Sequence, residues 1–179
     1  MTAESTWSAW INLERLAKWS MEHPGALDPH LENGWIPKLR LWYYFSRDLG
    51  VRRSYTVFLR GQESMVREVD WHFGRDRQRV LSGTETLTPT LGVRDAGLPY
   101  AELIGLLLNG DALSAPLFGK VEEIEYGSEG GEYGLEVIED QYSIRLNWSE
   151  AGPAKWRPIN VWVYQMRSFL WNHLGQHES

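Results

Sequence analysis

The sequence predicts an α+β fold, an antiparallel sheet with helices packed on one face, in the order α-βββ-α-βββ-α. Three observations carry that expectation. Segments with apolar residues at helical spacing stand at both ends and near the middle. Between them lie two groups of short segments in which apolar and polar residues alternate. Turn-forming pairs such as Asn33-Gly34 and Gly130-Gly131 mark the boundaries. No residue-level repeat accompanies the twice-occurring pattern, so the halves are alike in topology alone. At 179 residues, one domain over 1–179 accommodates all of it.

Residues 5–21 are the first predicted helix, with Ser5 or Thr6 as cap. Trp7, Trp10, Ile11, Leu13, Leu16 and Ala17 form its apolar stripe. Pro24-Gly25, Asp28-Pro29 and Asn33-Gly34 make the next segment a loop. Residues 38–45 alternate: Leu39, Leu41, Tyr43 and Phe45 share one face, and Lys38, Arg40, Trp42 and Tyr44 the other. Residues 52–60 and 65–73 form a hairpin around Gly61-Gln62-Glu63-Ser64. A one-residue bulge there pairs Val57 with Val69 and Tyr55 with Trp71. Residues 76–82 are a candidate for one extra edge strand, and 82–92 are loop. Residues 99–109 are a helix opened by Pro99 and stopped by Gly110, with Leu103, Leu106 and Leu107 inward. Residues 158–174 are a helix between Pro158 and Gly175, with Ile159, Trp162, Val163, Met166, Phe169 and Leu170 inward. Val161-Trp162-Val163-Tyr164 also suits a strand.

The second strand group holds the sharpest charge feature. Residues 120–140 carry Glu122, Glu123, Glu125, Glu129, Glu132, Glu136, Glu139 and Asp140 against Lys120 alone. Tight turns at Gly130-Gly131 and Glu139-Asp140 fold the segment and its successor into a meander. That register sets Tyr126 against Leu135, Ile124 against Val137, Leu135 against Ile144 and Val137 against Tyr142. One face then holds Ile124, Tyr126, Tyr133, Leu135, Val137, Tyr142, Ile144, Leu146 and Trp148. The other holds Glu123, Glu125, Glu136, Ser143, Arg145 and Asn147. Glu125 falls opposite Glu136, which costs ~0.2–1 kcal/mol. Burial of the apolar face outweighs that several times over.

An acidic face held in place by burial of its other side suits recognition of a basic protein partner. The expected partner-binding residues are Glu123, Glu125, Glu129, Glu132 and Glu136, with Trp42 and Tyr44 as aromatic anchors. The same face can instead be solvated and neutralised from within, by Arg145 and by the Arg-rich strands. Residues 38–80 hold nine Arg and one Lys, and Trp42 and Tyr44 share a face with Lys38 and Arg40. That combination also fits single-stranded RNA, although the chain's net charge of −6 opposes it.

Glu68, Asp70 and His72 alternate on one strand, about 7 Å apart at strand rise. Two carboxylates and an imidazole suit a metal, small-molecule or hydrolytic site, with Ser54 and Thr56 on the neighbouring strand. They equally suit the polar side of a half-buried strand beside Arg52 or Arg53. His173 and His177 have helix spacing, but Gly175 between them reads as a helix end. The chain has no Cys, which excludes disulfides, thiolate metal sites and a Cys nucleophile. No P-loop, dinucleotide fingerprint, calcium loop or G-x-S-x-G is present, and no cofactor is expected. The N-terminal segment lacks the pattern of a signal peptide, and no apolar run is long enough to span a membrane. A cytoplasmic, non-enzymatic protein is the expectation.

The predicted topology resembles the helix-and-sheet chaperones of type III secretion. It also resembles the small acidic α+β immunity proteins that mask bacterial toxins. Both resemblances rest on topology, not on shared motifs, and both imply binding of another protein.

Overall fold

A computed structural model describes residues 3–27, 31, 34–44, 50–83, 88–111, 132–139, 143–149 and 156–175. The elements are α1 (Ala3–Glu22), β1 (Ile36–Tyr44), β2 (Arg52–Arg60), β3 (Glu63–Trp71) and α2 (Phe73–Leu81). They continue as β4 (Leu91–Gly97), α3 (Tyr100–Asp111), β5 (Glu132–Ile138), β6 (Ser143–Ser149) and α4 (Arg157–Gly175). The fold is mixed α+β, and its six strands form one sheet in the order β4-β3-β2-β1-β5-β6, every neighbour antiparallel. The predicted order runs through these elements with α2 and β4 added between β3 and α3. The predicted first strand of the second group lies outside the described residues.

Register assigns the side chains to two faces. Leu39 faces Val57 and Val137, Leu41 faces Tyr55 and Leu135, and Val66 faces Val57 and Ala96. These pack with Leu103 of α3 and with Ile159, Trp162, Val163, Met166, Leu170 and Leu174 of α4. Each fully buried side chain of this kind contributes ~1.5–3 kcal/mol. On the opposite face, Ala17 and Met21 of α1 pack on Val69 and Trp71 of β3, with Phe73 of α2 beside them. Helices therefore cover both faces, not the single face predicted. The reason is visible in β3: Val66 and Val69 are both fully buried, and the period of two places them on opposite sides.

The β2–β3 hairpin turns tightly at Gly61-Gln62, pairing Arg60 with Glu63. The predicted bulge is absent, and Val57 faces Val66 while Tyr55 faces Glu68. An Arg60–Glu63 ion pair at 2.7 Å closes the turn. The β5–β6 register is offset by two residues from the predicted one, with Leu135 facing Leu146 and Val137 facing Ile144. An offset of two leaves every side chain on its predicted face. Residues 73–81 form a helix instead of an edge strand. Gly110 lies inside α3 instead of ending it: a Cβ there would come within 2.7 Å of the Trp162 indole, whose Nε1 donates to the Leu106 carbonyl at 2.8 Å.

Candidate functional site

Of the described carboxylates of the acidic segment, Glu136 and Glu139 meet bases of the same chain, and Glu132 meets none among the described residues. Both edges of β5 are occupied, by β1 and β6, so the cross-strand neighbours of Glu136 are Arg40 and Arg145, not the predicted Glu125. Arg40 donates to Glu136 at 2.6 Å, and Lys38 donates to Glu139 at 3.2 Å. Arg145 donates to Glu22 of α1 at 2.6 Å, and its guanidinium lies 4.5 Å over the Trp42 ring. Burial pulls the Arg40 pKa down, against the attraction of Glu136. The hydrogen bond to Glu22 raises that of Arg145.

Trp42 is only 4% exposed, so its ring is a core element beneath Arg145 and not a surface anchor. It fills the space over Gly134, where a Cβ would overlap the indole. Tyr44 is half-buried with the Arg52 guanidinium 5.3 Å from its ring. Burial, then the charges of Glu132 and Glu22, push its hydroxyl up to about 12. Glu132 is exposed. Glu123, Glu125 and Glu129 lie outside the described residues.

Glu68, Asp70 and His72 share a face, as predicted, but it is the face covered by α3 and α4. Ser54 and Thr56 point to the other side, opposite Val69 and Arg67. Glu68 is 1% exposed and ion-paired to Arg94 and, at 3.5 Å, to Arg53. Arg53 also donates to Asp70 at 3.1 Å, and its guanidinium lies 4.9 Å from the Trp171 ring of α4. Burial and then the Asp70 charge raise the Glu68 pKa, against the pull of both arginines. Among the described residues, no three His, Asp or Glu are grouped to hold a metal ion. The cluster closes an internal charge network.

The Arg-rich strands are engaged in the same way. Arg52 pairs with Glu14 of α1 at 3.0 Å. Arg67, almost fully buried, grips Asp95 through two bonds of 2.7 and 2.6 Å and reaches the Pro24 carbonyl at 3.3 Å. Arg79 pairs with Asp76 at 3.2 Å. Such commitments draw these arginines away from a phosphate-binding surface. Arg75 and Arg77 of α2 are exposed and form no ion pair among the described residues.

Arg77 adjoins the surface that sequence reasoning missed. Among the described side chains of α1, Leu13, Ala17, Ser20 and Met21 are buried, leaving Trp7 and Ile11 outside. Trp10 stacks on Trp71 with centroids 5.9 Å apart and meets Phe73 edge-on at 5.1 Å. The Arg52 guanidinium lies 4.3 Å from the Phe73 ring. Trp10 and Phe73 floor a groove of about 490 Å³ between α1 and α2, walled by Trp7, Val80, Leu81 and Arg77. Trp7 is 65% exposed and Leu81 69%. A signal for it existed: the predicted stripe on α1 was broader than one buried face requires, so part of it had to face outward.

A smaller cleft of about 180 Å³ lies between the sheet and α4, with Tyr133, Trp148, Tyr164 and Arg167 around Asn160. The Asn160 side-chain oxygen is buried without a hydrogen-bond partner among the described residues. Its volume falls below the ~300–1,000 Å³ usual for ligand pockets. No helix among the described residues is long and apolar enough to cross a membrane. No family model, curated protein or solved structure matches the chain.

Proposed function

We propose that the chain is a non-enzymatic protein-binding module whose contact surface is the groove between α1 and α2. One observation carries the reading: Trp7 and Leu81 stand exposed across an aromatic-floored groove of about 490 Å³. Contiguous exposed apolar surface on a folded domain marks an interaction site, and Trp is enriched among the anchors of interfaces. The internal ion pairing of Glu68, Asp70 and Asp76 supports the non-enzymatic part. A basic partner on the acidic segment is the second reading. It is favoured by Glu132, exposed and outside any ion pair among the described residues.

A photo-crosslinking amino acid placed at Leu81 tests the first reading in cells that make the protein. Gln62, exposed at the far end of the β2–β3 hairpin, is the control position. The expected result is a discrete protein adduct from Leu81 and none from Gln62. No adduct at Leu81, or the same pattern at both positions, overturns it.

A further inference from the structure

We infer that the groove between α1 and α2 receives an acidic amphipathic helix of a partner protein. This rests on the protein-binding reading and names the chemistry of what binds. The first ground is the backbone. Both walls are helices, whose main-chain groups bond internally except in the end turns, so the groove offers no strand edge to an extended peptide. A segment seated there must satisfy its own backbone, and a helix does so.

The second ground is length. From Phe73 to Leu81, α2 spans about 12 Å at 1.5 Å per residue. A helical ligand anchored at i, i+3 or i+4, and i+7 covers about 10 Å. The apolar positions of the walls therefore match two turns of ligand, with Trp10 and Phe73 beneath and Trp7 and Leu81 at the rim.

The third ground is charge. Between Thr6 and Trp10, α1 carries no charged residue. On α2, Asp76 is fully buried and bonded to Trp71, Thr90 and Arg79. Arg77 remains on the groove wall, the one charged side chain among the described residues that line it, while Arg75 lies on the other side of α2. The groove thus presents the single positive charge of Arg77 in a chain of net charge −6, and complementary charge selects an acidic ligand. A twofold contact between two copies would bring the arginines of both to one seam. A flat bilayer would meet the rim and leave the recessed Trp10 and Phe73 floor unfilled.

The test is fluorescence anisotropy with two labelled peptides of about four helical turns, each with Leu at i, i+3/i+4 and i+7. One carries Glu at its polar positions and the other Lys. The acidic peptide is expected to bind at least about tenfold tighter than the Lys peptide at low salt, and to gain helical circular dichroism on binding. Arg77→Glu should reverse the preference. Leu81→Asp, with Trp7→Ala as a second variant, should weaken the acidic peptide about tenfold while leaving thermal unfolding in place. Equal affinity for both peptides, no response to Arg77→Glu, or a bound peptide without helix overturns the inference. So does capture of the chain by anionic phospholipid vesicles without peptide binding, or a self-dimer lost in Leu81→Asp. If the acidic peptide fails while Leu81 crosslinking to a protein persists, the partner chemistry is wrong and the binding reading stands. If both fail, both fall.

Discussion

The two faces of the sheet are held by different forces. Under α3 and α4 the contacts are mostly apolar: Val57, Val66, Leu103, Met166 and Leu170 are buried nearly completely and pack on one another, with the Glu68–Arg94 and Asp70–Arg53 pairs to one side. Under α1 and α2 the apolar cluster is small, with Ala17, Met21, Val69 and Trp71 at its centre. Polar links hold the rest: Arg52–Glu14, Arg145–Glu22, Arg67–Asp95 and the hydrogen bond from Ser54 to the Met21 carbonyl. Apolar burial adds with every residue, whereas part-exposed ion pairs contribute ~0–1 kcal/mol each. One layer thus supplies most of the stability. The other positions two helices without burying all their aromatic surface, which leaves a groove available.

The strongest way to break that comparison is Trp162→Ala. It empties a core site against Gly110 and removes the bond to the Leu106 carbonyl. The expected loss is about 3–5 kcal/mol in denaturant unfolding. A loss below about 1 kcal/mol would erase the difference between the layers. Glu136→Lys comes next. It sets a third cation between Arg40 and Arg145 at a mostly buried site and should cost about 2–3 kcal/mol, discounted for partial exposure. Glu132→Lys, four residues earlier on the same strand and exposed, should stay within about 0.5 kcal/mol. Similar costs for the two would show that the Arg40–Glu136 pair contributes nothing to the fold.

Much of the architecture was legible because burial writes a period into the sequence. The alternation in β1, the inward set of α4 and the apolar side of β5–β6 all follow from it. The β5–β6 face survived a register error because an offset of two preserves sidedness. At β2–β3 the error was an odd number of residues, so Glu68 was placed with Ser54 on the wrong side. The α2 helix was missed because FGRDRQRVL has too few apolar residues for a stripe. Its position depends on Asp76, whose partners Trp71 and Thr90 flank it at a distance that periodicity does not register. The groove depends on α2, so it was illegible for the same reason. The acidic segment was visible as a charge, but its Glu136 and Glu139 are answered by Arg40 and Lys38, contributed by a strand about a hundred residues away.

A smaller loss than that of Glu136→Lys tests the polar layer most directly. Asp76 is 0% exposed, and four donors converge on its two oxygens. Thr90 Oγ1 at 2.6 Å and Arg79 at 3.2 Å donate to Oδ1; Trp71 Nε1 at 2.9 Å and the Thr90 N–H at 2.7 Å donate to Oδ2. Burial opposes the charge, but these bonds outweigh it and hold the pKa below the ordinary 3.8. Asp76→Asn keeps the shape and turns one acceptor into a donor facing donors, for an expected loss of about 1–2 kcal/mol near neutral pH. The sign of the pH dependence follows from the lowered pKa. Native Asp76 stays charged at acidities where the unfolded chain is protonated, so its stabilisation is full above 3.8 and is lost as pH falls through the folded value. The gap in melting temperature between wild type and Asp76→Asn should therefore narrow below that pH. Because Asp76 anchors α2, the variant should also loosen the groove wall, seen as faster amide exchange across Phe73–Leu81 while α4 keeps its protection. A gap that stays constant into acid, or equal loss of protection in α2 and α4, would mean that the two layers unfold as one and that their division of labour is wrong.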